Sequence, residues 1–151
     1  MSTYCNVDDI KLRIDSDSYT SLTGDDGTLT GDTLTTAIIV EIDGYMREML
    51  SKTYTDVTLL EGSYTIKDIC IELSICSLMK RRQLNGILID SNQKERCVIA
   101  FSLLDEISNG NKSILIDGEI IAKKTRPLGI LIESTTIDDA TNKPYWYVDN
   151  E

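Results

Sequence analysis

The chain is predicted to be mainly α: about four helices in one domain, with a C-terminal β-hairpin or small antiparallel sheet. Three observations predict this class. Apolar residues recur at helical spacing over long stretches, capping residues stand just ahead of those stretches, and Asp117-Gly118 separates two short β-branched runs. A length of 151 residues suits one core rather than two. The expected organisation is a helical domain over 1–110, a hairpin or strand segment of the same domain over 111–133, and a tail over 134–151.

The first helix is expected over 7–14, opened by Asn6, with Ile10 and Ile14 one turn apart on a face. From 15 to 32 the residues are mostly Asp, Ser, Thr and Gly, which predicts a loop. Its carboxylates invite a calcium site, yet their spacing does not reproduce an Asp-x-Asp-x-Asp-Gly loop closed by Glu.

Asp32 is a good N-cap for a second helix starting near Thr33, because its carboxylate can accept from the first free amides. At about 100° per residue, Ile38, Ile39, Ile42, Tyr45, Met46, Met49 and Leu50 fill one broad arc, opposite Thr36, Asp43, Gly44, Arg47 and Ser51. An arc this wide needs two or more neighbours.

Ser63 caps a third helix reaching to about Arg82, in which apolar residues surround the axis from Ile66 to Met79. A helix apolar on all sides is buried on all sides, and three other helices of so small a domain could hardly cover it. Subunit contacts through Ile71, Ile75 and Met79 are therefore expected. The basic residues Lys80, Arg81 and Arg82 complement the helix dipole; the alternative is contact with an acidic partner or a neighbouring subunit. Asp90 and Gln93 resemble a capping box for a fourth helix, lasting to Ser108 and ended by Asn109-Gly110, with Cys97, Ala100, Phe101, Leu104 and Ile107 at helical spacing.

The hairpin is expected over 113–122, turning at Asp117-Gly118. Two strands alone are barely stable, so a third over 128–132 is expected beside them. Beyond 133 periodicity is lost, except for the aromatic cluster Tyr145-Trp146-Tyr147. Such a cluster either folds back on its own core or anchors into another protein.

Composition narrows the function. Fifteen Lys and Arg against twenty-five Asp and Glu give a formal charge of −10, which opposes general binding to phosphate backbones. No run approaches the roughly 18 apolar residues of a membrane span, and the N-terminus lacks a basic, apolar signal, so use in a cytoplasm without a membrane partner is expected. With no histidine, Ser-His-Asp and Cys-His arrangements are absent, and so are mixed zinc sites. There is no Gly-rich phosphate loop. The pairs Asp8-Asp9, Asp25-Asp26 and Asp138-Asp139 suit capping and turns better than acid–base work. No enzyme, cofactor or metal is expected. Cys5, Cys70, Cys76 and Cys97 include no Cys-x-x-Cys pair, and buried free thiols acting as small hydrophobes explain them better than metal or disulfide.

Several of these residues form a pattern. Tyr4, Val7-Asp8-Asp9-Ile10, Ala37-Ile38, Ile42-Asp43, Tyr45-Met46 and Tyr54, followed by residues 66–74 reading Ile-Lys-Asp-Ile-Cys-Ile-Glu-Leu-Ser, resemble the head-tail connector (adaptor or head completion) proteins of tailed phages, Mu-like members above all. The likeness covers about residues 3–107. It departs from the family at Thr53, where an Arg is usual before the terminal Tyr, and at 58–62, where a Pro-rich link is usual. The resemblance implies a structural virion protein, assembled in the host cytoplasm and placed at the head-tail interface. Copies would form a ring, twelve to match the usual portal symmetry, between the portal protein and the next tail-side protein, a stopper or tail terminator. DNA would pass through without specific binding. Arg81, Arg82, Tyr145, Trp146 and Tyr147 join Ile71, Ile75 and Met79 as expected interface residues. The rival expectation is a homodimeric helical interaction or regulatory module unrelated to virions.

Overall fold

In the computed structural model, residues 3–24, 30–84, 91–124, 137–138 and 143–144 are described. They confirm a mainly helical fold with a small antiparallel hairpin. Helix α1, Val7–Arg13, starts with a complete capping box: Asn6 Oδ1 accepts from Asp9 N and Asp9 Oδ2 accepts from Asn6 N, each at 3.0 Å.

The segment expected as a loop contains a second helix, α2, Ser16–Thr23. Asp15 caps it through Ser18 N at 2.9 Å, and its inner face carries the buried Tyr19 and Thr23. Asp, Ser and Thr count toward turns in composition, but an Asp one turn ahead of a Tyr-x-x-x-Thr face is a helix start. Helix α3, Gly31–Leu50, also begins earlier than expected. Thr30 is the cap, accepting from Thr33 N at 3.3 Å, whereas Asp32 sits in the first turn, paired with Lys11 at 2.8 Å. The inner face of α3 buries Leu34, Ile38, Ile39, Met46 and Leu50, while Tyr45 stays exposed at the arc's edge.

After the 3-10 turn Val57–Leu60, helix α4, Tyr64–Leu84, passes through the middle of the molecule with α1, α2, α3 and α5 packed around it. Ser63 Oγ accepts from Ile66 N, as its capping role requires. Helix α5, Ser91–Ser108, packs on α4 and α3. It ends in a Schellman closure: Gly110, at φ +77°, donates to Ile107 O, and Asn111 donates to Glu106 O.

Strands β1, Leu115–Ile116, and β2, Glu119–Ile120, pair antiparallel around Asp117 (φ 52°) and Gly118 (φ 84°), the two positive values of a type I′ turn. Lys124 N donates to Thr53 O at 2.7 Å, so the hairpin is tied to the end of α3. A second short pair joins β3, Ile137–Asp138, to β4, Lys143–Pro144. Asp90, the expected strand over 128–132 and the cluster Tyr145-Trp146-Tyr147 lie outside the described residues.

Two further expectations are corrected. Cys76 of α4 and Cys97 of α5 are joined by a disulfide, their Cα atoms 5.8 Å apart, so only Cys5 and Cys70 are free thiols. Spacing along a sequence does not reveal two cysteines that face each other across a helix pair. Nor does α4 need a second subunit to cover it: Ile71, Ile75 and Met79 are 4%, 1% and 3% exposed within a single chain. The short helix α2, read as loop, helps to supply the missing cover.

Candidate interaction surface

The motif residues Tyr4 and Asp43, 39 positions apart, meet in the fold. Asp43, expected on the polar outer side of α3, is instead 6% exposed and covered by the N-terminal segment. One oxygen accepts from Tyr4 N at 2.8 Å and the other from Arg47 Nε at 2.6 Å. Arg47 also reaches Glu61 at 2.9 Å and lies over the Tyr4 ring, 4.6 Å from its centroid. Tyr4 Oη donates to Val57 O at 3.1 Å. Burial pushes the Tyr4 hydroxyl up to about 12, against the pull of Arg47. Burial also works against the charge of Arg47, but the hydrogen bonds to Asp43 and Glu61 outweigh it and raise its pKa. Every charge in this network has a partner, and its visible work is to clamp residues 3–5 against α3 and the turn at 57–60.

The other carboxylates near α4 are likewise engaged. Asp9 pairs with Lys67 at 2.7 Å, Asp68 with Arg13 at 2.5 Å, and Glu72 with both Arg13 and Arg96. Among the described residues no group of three His, Cys, Asp or Glu side chains could hold a metal ion. No helix among them is long and apolar enough to cross a membrane.

What stands out instead is the outer face of α5. Val98, Ile99 and Phe101 are 68%, 50% and 47% exposed, although the same helix buries Ala100, Leu104 and Ile107 inward. Phe101 therefore departs from the core position expected for it. Two grooves flank this face. One, of about 300 Å³, runs between α4 and α5 and is lined by Thr65, Ile69, Glu72, Arg96, Ile99 and Leu103. The other, of about 330 Å³, lies where α3, α4 and α5 meet and is lined by Ile42, Tyr45, Leu73, Ser77, Lys80 and Phe101. Ile99 borders the first groove, Phe101 borders the second, and Val98 stands between them. An apolar strip thus crosses α5 from groove to groove, the kind of surface that protein contacts use.

No family model and no curated protein matches the sequence. The residues themselves therefore carry the functional reading. Of the expected interface residues, Ile71, Ile75 and Met79 belong to the core. Arg81 and Arg82 are half-buried at the end of α4, where Arg82 Nε donates to Ser21 O at 2.6 Å and ties α4 to α2. Val98, Ile99 and Phe101 were legible in one respect: five apolar residues in succession, 97–101, cannot all face inward from a helix.

Proposed function

We propose that this protein is a structural assembly component, a head-tail connector subunit whose copies sit side by side in a ring between portal and tail. The observation that carries the reading is the apolar strip of α5, because a surface of exposed Val98, Ile99 and Phe101 beside two grooves suits a permanent protein contact. The motif that resembles the connectors adds support, since Tyr4 and Asp43 interlock through a buried hydrogen bond. The acidic charge suits a ring whose lumen lets DNA pass without gripping it. In this reading α4 is the rigid axis of each subunit and α5 its contact face. The portal lies above the ring, a stopper or tail terminator lies below, and no reaction is performed.

Electron microscopy of the purified protein, alone and mixed with the portal from the same genome, tests this directly. Rings, or added density beneath the portal, are expected. A small closed dimer that ignores the portal would overturn the connector reading in favour of a homodimeric regulator using the same strip.

A further inference from the structure

The two free cysteines are a pair. Cys5, in the segment clamped by the Tyr4 network, and Cys70, in the middle of α4, are 3% and 0% exposed and separated by 65 positions. Their sulfurs share a hydrogen bond at 3.1 Å. A disulfide needs an approach of only about 1 Å more, given an S–S bond of about 2.05 Å. We propose that Cys5 and Cys70 form a peroxide-responsive dithiol whose oxidation covalently locks the N-terminal segment onto α4.

The chemistry divides between the two sulfurs. The contact with Cys70 lowers the Cys5 pKa against the effect of burial, whereas that contact and burial both push Cys70 up. Cys5, on the outer segment that must lift, is the sulfur peroxide meets first and hence the nucleophile, and Cys70, fully enclosed in α4, is the resolving thiol. The buried Ser74 hydroxyl, one turn beyond Cys70, has no hydrogen-bond partner of good geometry among the described residues, and it favours the thiolate of either cysteine. Cys5 attacks one oxygen of hydrogen peroxide, the O–O bond breaks, and water leaves with a sulfenic acid on Cys5. Cys70 sulfur then displaces the sulfenic oxygen as a second water. Two thiols are oxidised by two electrons, one peroxide is reduced to two waters, and both thiol protons end in water. Entry of peroxide requires residues 3–6 to lift, a local opening, and the bond formed then prevents that opening.

The test uses the full chain, reduced and then treated with hydrogen peroxide. Unreacted thiols are alkylated in denaturant, and the protein is digested without reductant. Trypsin with a glutamate-specific protease cleaves after Lys67, Glu72 and Lys80, which separates Cys70 from Cys76. The expected result is a linked Cys5–Cys70 peptide pair and a melting temperature roughly 10 °C above that of Cys5→Ala treated identically, as closure of a loop this long implies. Alkylated Cys5 and Cys70, a Cys5 linked to any other cysteine, or a linked pair without the thermal gain would each overturn the proposal. A Cys76→Ala/Cys97→Ala variant, in which no other disulfide can form within one chain, is expected to give the same linked pair in a protein that stays monomeric on non-reducing gel electrophoresis in denaturant.

Discussion

Helices α4 and α5 are near equals in sequence and opposites in the fold. Both carry apolar residues around much of their circumference, and both are joined by the Cys76–Cys97 bridge. Yet α4 is enclosed by α1, α2, α3 and α5, whereas α5 rests on α3 and α4 and leaves Val98, Ile99 and Phe101 outside. An all-round apolar helix needs cover on all sides. Where the cover comes from depends on position: for α4 it is the chain itself, for α5 it is a surface that another protein can complete. The difference moves the expected contact from Ile71, Ile75 and Met79 to the strip on α5.

The sharpest way to break this comparison is to place one charge on each helix. Ile75→Asp puts a carboxylate where 1% of the side chain is exposed, and loss of the folded state is expected, a cost above about 4 kcal/mol, read by circular dichroism and urea titration. Val98→Asp, at a position 68% exposed, is expected to change stability by less than about 0.5 kcal/mol in the same titration. A folded Ile75→Asp protein would contradict the central placement of α4.

The next effect concerns the clamp that seats residues 3–5. Arg47→Met leaves Asp43 buried with no cation, and a loss of roughly 3–5 kcal/mol is expected from urea unfolding. Lys11→Met breaks the exposed pair with Asp32, and a far smaller, salt-screened change is expected. Similar losses in the two variants would mean that the Asp43 network is no more buried than a surface ion pair.

A smaller effect separates the clamp from the rest of the molecule at high pH. Tyr4 keeps its proton in the fold up to about 12, while an unfolded tyrosine loses its own near 10. Below pH 10 its contribution is fully present; between about 10 and 12 the folded state binds more protons than the unfolded, so stability falls as pH rises. Tyr4→Phe is expected to remove roughly 2–3 kcal/mol of that alkaline decline, the difference between two urea series taken at pH 9 and 12. An unchanged slope would place Tyr4 in contact with water. The smallest effect is Asn6→Ala, which removes half of the capping box on α1 and is expected to cost about 1 kcal/mol.

Much of the fold was legible because its signals are local. Asn6, Ser63, Asn109-Gly110 and Asp117-Gly118 mark helix ends and a turn by their own chemistry, and the structure places elements beside each. Where reading failed, the deciding interaction was long-range or a local signal was outvoted. Asp15 was outvoted by the Ser, Thr and Gly around it, so α2 was hidden. Asp43 looked like a surface residue because its partner, Tyr4 N, is 39 positions away. Cys76 and Cys97 face each other only once α4 and α5 pack. The candidate surface was half legible: 97–101 reads as too apolar for one inner face, but which residues remain outside depends on how α5 sits on α3 and α4.

The most direct test of the α5 surface is sedimentation velocity of the portal mixed with wild-type protein or with the Val98→Asp/Phe101→Asp double variant, after circular dichroism has shown both to be folded. Wild type is expected to add the mass of a ring to the portal, and the folded double variant to sediment apart from it as single subunits. A double variant that assembles as fully as wild type would contradict the claim that the apolar face of α5 joins the subunits.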